Sequence, residues 1–183
     1  IPAGVVGILW DDVFTKYFYN YQTVAIMLIL VGVVFILVER ANKNKVARVD
    51  SIDDISYGQA FMIGVFQMIA AIFPGTSRSG STIIGGILAG TSRTVAAEFT
   101  FFLAIPVMFG ASLLKLVKFG FAFSSTELII LIVGVVVSFV VSVLAIKFLM
   151  GYIKKHDFKV FGWYRIILGI LVLGYFVGKT FLA

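Results

Sequence analysis

The chain has 183 residues, 61% of them apolar and 13% charged, with fifteen Lys and Arg against nine Asp and Glu for a formal net charge of +6. Soluble domains carry roughly 45–50% apolar and about 25% charged residues, so this composition argues against a soluble domain and against a disordered chain. The lack of cysteine excludes a disulfide-stapled secreted module, which leaves an all-α polytopic integral membrane protein whose basic residues report orientation.

The chain opens Ile1-Pro2-Ala3 and runs directly into apolar residues 5–10, with no signal-peptide pattern. Residues 1–10 read as the end of a truncated membrane helix, and the sequence as a fragment. Residues 11–22 are polar and aromatic, and Tyr17, Phe18, Tyr19 and Tyr21 favour a membrane–water interface. Crossing a bilayer takes about 20 apolar residues. Uncharged runs predict transmembrane helices over 23–38, 99–114, 128–146 and 163–178, the last anchored by Trp163 and Tyr164. The whole is expected to be one membrane domain.

Residues 56–92 behave differently. Two uncharged arms flank Pro74-Gly75-Thr76-Ser77-Arg78-Ser79-Gly80-Ser81-Thr82. Pro and Gly end the first helix near Phe73, and a second runs from 79–82 to near Gly90. Each arm is short for a crossing, so the segment reads as a re-entrant hairpin. Irregular backbone at membrane depth persists only where protein or a wet cavity surrounds it. Orientation agrees. Arg40, Lys43, Lys45 and Arg48 lie in the loop 39–55, and Lys147, Lys154, Lys155, Lys159 and Arg165 in the loop 147–165, against Lys16, Lys115, Lys118 and Lys179 opposite. Both basic loops are cytoplasmic only if 56–92 enters and leaves on one side. Gly86/Gly90 and Gly174/Gly178 are expected to serve helix packing.

Arg78 is costly at membrane depth, by about 2.5–3.5 kcal/mol on insertion scales. Five hydroxyls surround it in sequence: Thr76, Ser77, Ser79, Ser81 and Thr82. Gly75 and Gly80 let the backbone turn and approach a ligand. The following helix directs free N–H groups and its positive end into the turn. Together these favour a phosphate-like anion. The competing reading is a structural turn whose Arg78 pairs with Glu98 or with carbonyls. The Gly75/Gly80 spacing matches a P-loop, but Ser81 stands where the phosphate-binding Lys must be and no strand precedes it, which excludes a nucleotide hydrolase.

The 74–82 run, continuing Ile83-Ile84-Gly85-Gly86, resembles the signature of the undecaprenyl-diphosphate phosphatases of the bacitracin-resistance (BacA, UppP) type. Similar matches are Gln59-Ala60-Phe61-Met62-Ile63-Gly64-Val65-Phe66-Gln67 before it and Ala97-Glu98-Phe99-Thr100-Phe101-Phe102-Leu103-Ala104-Ile105-Pro106 after it. The resemblance implies an inverted-repeat helical fold with two re-entrant hairpins. It implies hydrolysis of undecaprenyl diphosphate to the monophosphate and inorganic phosphate, which recycles the carrier for cell-wall synthesis and confers bacitracin resistance. It also implies a divalent metal ion, Mg or Ca. The family's first hairpin, with its glutamate-rich motif and catalytic histidine, has no counterpart here, so the fragment alone is expected to be inactive, with the metal ligands in the part not represented.

On this reading Arg78, Ser77 and Thr82 match functional positions. Arg78 clamps the phosphate, Ser77 and Thr82 donate to it, and Gly75, Thr76, Ser79, Gly80 and Ser81 bind substrate. Glu98 is a candidate supporting residue, pairing with Arg78 or Arg93 or favouring the helix N-terminus. His156, the single histidine, reads as a solvated loop residue. Asp50, Asp53 and Asp54 read as capping or solvating the start of the hairpin's first helix, in preference to binding metal. The expected partners are a polyprenyl diphosphate and anionic lipids, with no nucleic acid and with room for a homodimer, in the bacterial inner membrane. The sequence leaves the leaflet open, and the resemblance implies the outer one. A transporter or flippase of polyprenyl phosphate or another anion is the alternative. A purely structural subunit leaves Arg78 unexplained.

Overall fold

The computed structural model describes residues 2–120 and 123–182; Ile1, Phe121, Ala122 and Ala183 lie outside it. The described residues form α1 (Pro2–Phe18), α2 (Tyr21–Asn42), α3 (Tyr57–Ile72), α4 (Arg78–Leu88), α5 (Arg93–Phe119), α6 (Ser125–Ile153) and α7 (Lys159–Leu182). Extended pairing among them is one isolated bridge between Val49 and Thr91. The fold is all-α. Helices α2, α5, α6 and the Lys159–Lys179 part of α7 are long and apolar enough to cross a membrane, and the chain is a multi-pass membrane protein.

The helices extend past the uncharged runs because caps, not charges, set their ends. Asn20 caps α2 by accepting from Thr23 N at 2.8 Å. Ser124 and Glu127 form a reciprocal capping box on α6. The first helix continues beyond residue 10 to Phe18. At the start of α3 the cap is the capping box of Ser56 and Gln59; Asp53 and Asp54 belong to a preceding 3-10 turn, Asp50 precedes that turn, and all three are exposed to solvent rather than capping the helix.

The chain packs as two compact units, residues 1–100 with 157–183, and residues 101–156. In the second unit α6 is exposed along its apolar length, as suits side chains whose solvent is lipid. His156 lies there, exposed and stacked on Tyr152 with ring centroids 4.4 Å apart.

The first unit is built on α2 and α7, which run antiparallel. Glu39 meets Phe158, Gly32 meets Gly162, Ala25 meets Gly169, and Tyr21 stacks on Phe176 at 4.0 Å. A Cβ on Gly32 would come within 2.7 Å of Gly162 O, and one on Gly169 within 2.8 Å of Ala25 O. Such close backbones are how small residues bind helices together in lipid. The sequence pointed to other glycines on this helix: Gly174 and Gly178 have nothing within 4 Å, because they lie on a different face from Gly162 and Gly169.

Helices α3 and α4 form the hairpin. Gln59 Nε2 donates to Ala89 O at 3.0 Å, so the start of α3 meets the end of α4. A Cβ on Gly85 would come within 2.8 Å of the Phe66 ring. The hairpin's open end is tied to the loop after α2: Arg48 N donates to Gly90 O at 2.9 Å and Ser92 N to Val49 O at 2.9 Å.

Candidate functional site

The closed end of the hairpin carries the turn. Phe73 caps α3 in extended conformation, and its ring lies 4.9 Å edge-on from that of Phe18. Gly75 follows at φ +88°, where a Cβ would lie 2.6 Å from Val24 O on α2. Only glycine permits both this conformation and this approach. Ser77 adopts φ 64°, ψ 115° and caps α4, its Oγ accepting from Gly80 N at 3.2 Å. A non-glycine residue at positive φ outside the left-handed helical well costs on the order of 1–3 kcal/mol and is typical of functional turns.

The turn sorts its polar groups by burial. Thr76, Ser81 and Thr82 are buried. Thr76 Oγ1 donates to Phe73 O at 2.7 Å. Thr82 Oγ1 lies 3.1 Å from Arg78 O and 3.0 Å from Ser79 O. Thr100 Oγ1, itself 2.8 Å from Ala96 O, is 2.9 Å from Thr82 Oγ1. The Thr82 and Thr100 hydroxyls brace α4 from behind, while that of Thr76 closes the turn onto the end of α3. Thr76, Ser81 and Thr82, expected at the substrate, are thus buried, and the Thr76 and Thr82 hydroxyls already have partners inside the protein. Gly75 turns the backbone and approaches α2, and Gly80 lies against the Phe35 ring and Ser77.

What faces outward is compact. Arg78 and Ser79 are exposed and Ser77 is partly so. Ser77 Oγ and Ser79 Oγ are 3.3 Å apart. Among the described residues no hydrogen bond or ion pair engages the Arg78 guanidinium. It stands at the first turn of an eleven-residue helix, whose positive end adds to its field.

The expected Glu98 pairings do not form. Arg93 is bound to Glu39 instead, its Nε at 3.0 and 2.9 Å from the two carboxylate oxygens. Glu39 is 1% exposed and also accepts from Phe158 N at 3.2 Å. One carboxylate thus joins the end of α2, the start of α5 and the start of α7. Its only sequence signal was a single acid closing an apolar run.

Sequence reasoning misplaced Arg165 as well. It was counted with the loop 147–165, but it lies inside α7 and is half-buried. Its Nη1 is 3.3 Å from Thr76 O and 3.4 Å from Gly75 O. The available signal was spacing: Gly162, Arg165 and Gly169 share one helical face, and that face packs on α2.

Depth follows from α2. Val24, against Gly75, and Glu39, at the base, are separated by a helical rise of about 22 Å, against a hydrocarbon core of about 30 Å. The turn therefore lies toward the side opposite the base, near the aromatic residues that join α1 to α2. A divalent ion finds no ligand set at this turn. Among the described residues no three His, Cys, Asp or Glu side chains lie together, and the charged groups at the turn are cationic.

The family model described as "Bacitracin resistance protein BacA" matches residues 1–171. The chain is 70% identical over 180 residues to "Undecaprenyl-diphosphatase" of Desulfitobacterium hafniense, covering 98% of this chain and 65% of that protein. It is 65% identical over 177 residues to "Undecaprenyl-diphosphatase 1" of Clostridium acetobutylicum, with 97% and 65% covered. The counterpart of Acetivibrio thermocellus is 60% identical over 177 residues, with 97% and 65% covered. The chain spans a little under two thirds of the length of these relatives. With the signature turn on a capped helix, the hairpin docked on α2 and the match over nearly its whole length, the chain belongs to the bacitracin resistance protein BacA family.

Proposed function

We propose that these residues form the phosphate-binding half of a membrane enzyme that hydrolyses undecaprenyl diphosphate to undecaprenyl phosphate and inorganic phosphate. The carrier would be recycled for cell-wall synthesis, with bacitracin resistance as the consequence. The observation that carries this reading is the exposed guanidinium of Arg78, unpaired among the described residues, at the N-terminus of α4 on a turn docked against α2. The names of the most similar relatives support the same chemistry.

In such a hydrolysis a water oxygen bonds to the terminal phosphorus, the bridging P–O bond breaks, and its electron pair leaves on the lipid phosphate. The phosphoryl oxygens carry the transition-state charge, and catalysis is chiefly positioning and charge stabilisation. Arg78 would hold two of these oxygens, the bidentate geometry that guanidinium suits. Ser77 and Ser79 hydroxyls and the first-turn amides of α4 would complete the cradle. Arg165 fixes the carbonyls of Gly75 and Thr76, so the turn keeps its shape when the anion arrives. The divalent ion expected from the resemblance finds no cluster of acidic, His or Cys ligands at this turn among the described residues.

The reading includes location. The protein would reside in the bacterial cytoplasmic membrane with loop 39–55 inside, which turns Arg78 toward the outer leaflet. The test is phosphate release from a polyprenyl diphosphate by the full-length protein in detergent, wild type against Arg78→Ala. Loss of at least 100-fold, with unfolding temperature unchanged, supports the assignment. Near-normal release overturns it. Flux of polyprenyl phosphate across sealed vesicles without phosphate release would establish the transport alternative.

A further inference from the structure

A second basic site lies at the opposite end of the hairpin, about 15 Å along α4 from Arg78. A cavity of about 350 Å³ opens between the loop after α2 and the segment joining α4 to α5. Its walls carry Lys45, Arg48, Arg93 and Ser92, and its lip carries Val46 and Leu88. That volume falls at the lower end of small-ligand sites, about 300–1,000 Å³.

The walls are held in place by backbone. The hydrogen bonds from Arg48 N to Gly90 O and from Ser92 N to Val49 O fix the two segments side by side. Gly90 at φ +94° lies against the aliphatic stem of Arg48, which sets where that side chain leaves the wall. Ser92 caps α5 by accepting from Val95 N at 3.3 Å, so the positive end of a long helix meets the cavity. Thr91, another wall residue, holds the buried side-chain oxygen that has no partner among the described residues.

Charge decides the ligand class. Arg93 is balanced by Glu39, and nearby Asp157 by Lys159 at 2.8 Å. Lys45 and Arg48 have no acidic partner among the described residues, so the cavity keeps two uncompensated positive charges. The lip is apolar and open: Val46 is 93% exposed and Leu88 54%. Tyr57, 97% exposed at the start of α3, is the kind of residue that sits at headgroup level. Cations beside apolar side chains at a membrane surface match a phosphate that carries an acyl tail.

We propose that this cavity binds a phosphate ester anion, with an anionic phospholipid headgroup as its source. The ligand would bridge Lys45 and Arg48 on one wall to the α5 N-terminus on the other, stapling the base of the hairpin. The site is separate from the turn and does not depend on the reaction proposed there.

The test uses full-length protein in a neutral detergent, titrated with short-chain phosphatidylglycerol, phosphatidylcholine or inorganic phosphate and followed by native mass spectrometry and unfolding temperature. Phosphatidylglycerol is expected to bind and raise the unfolding temperature by several degrees, and phosphatidylcholine to do neither. The Lys45→Gln/Arg48→Gln variant should bind at least tenfold more weakly. Both side chains are exposed and glutamine keeps their stems, so the lipid-free unfolding temperature serves as the folding control. Lys154→Gln/Lys155→Gln, on another basic loop, should bind as wild type does. Inorganic phosphate acting alone, with the same dependence on Lys45 and Arg48, would support the site and assign a free ion as its source. Equal loss in both double variants reduces the effect to general surface charge and overturns the proposal, as does the absence of binding by either anion.

Discussion

Glu39 at the end of α2 and Arg93 at the start of α5, 54 residues apart in sequence, form a paired fork in which Arg93 Nε reaches both carboxylate oxygens. Because Glu39 also takes Phe158 N, this one acid fixes three helix ends at the base of the hairpin. Removing the partly exposed Arg93 leaves the buried Glu39 carboxylate uncompensated, at a cost of up to about 3–5 kcal/mol. Arg93→Ala should lower stability by up to that amount in detergent unfolding. Glu39→Leu with Arg93→Leu should recover most of it. Additive losses in the double variant would show that the two do not act as a pair.

Gly75 is required by the backbone of the turn. Gly75→Ala places a Cβ 2.6 Å from Val24 O at φ +88°. A substitution at an incompatible backbone position costs more than about 1 kcal/mol. The variant should unfold earlier and expose the turn to proteolysis. Unchanged stability would mean that the turn is not seated on α2.

Arg165 acts through the turn's carbonyls. Arg165→Ala should reduce phosphate release by at least tenfold while lowering stability by about 1.5–3 kcal/mol, the range for a hydrogen bond to a charged group. Arg165→Lys, which keeps the charge and one donor, should recover part of the turnover. A merely structural role would move stability alone and leave kcat intact.

The buried hydroxyls and the exposed cation should separate in their effects. Thr100→Val removes the hydroxyl beside Thr82 and should cost about 1 kcal/mol of stability, with activity changed less than threefold. Arg78→Lys keeps the charge but loses the planar fork, and should lower phosphate release by at least tenfold at constant stability. The reverse ranking would place substrate against Thr82 and not Arg78.

Asp157 supplies a pH dependence. Burial alone would raise its pKa, but the hydrogen bonds and charge of Lys159, with the more distant charge of Arg93, hold it below the ordinary carboxylate value. A depressed acid stabilises the fold above its unfolded pKa and ceases to as pH falls through its folded pKa. Wild type should therefore lose unfolding temperature more steeply than Asp157→Asn below about pH 4. Parallel curves would remove Asp157 from the acid response.

Composition and hydropathy are enough to assign this chain to the multi-pass membrane proteins. Its apolar runs point to four helices able to span a bilayer, because hydrocarbon satisfies no backbone polar group and these runs are too long and too continuously apolar for the alternating strands of about ten residues that a barrel uses. Pro74, Gly75 and the hydroxyl cluster located a turn, and Arg78 stood out because a cation amid apolar residues needs a reason. Tertiary structure alone decided which groups face outward. Ser81 and Thr82 read alike with Ser77 and Ser79 as a string of hydroxyls, yet helical rotation places the former pair inside and the latter outside. The partners of Arg93 and Arg165 lay 54 and about 90 residues away, and Glu98, close in sequence, had no part in either. Local pattern reports composition and periodicity; the pairing of a buried charge depends on which helices meet, and that is settled by the close packing of α2 on α7 and of the hairpin on α2.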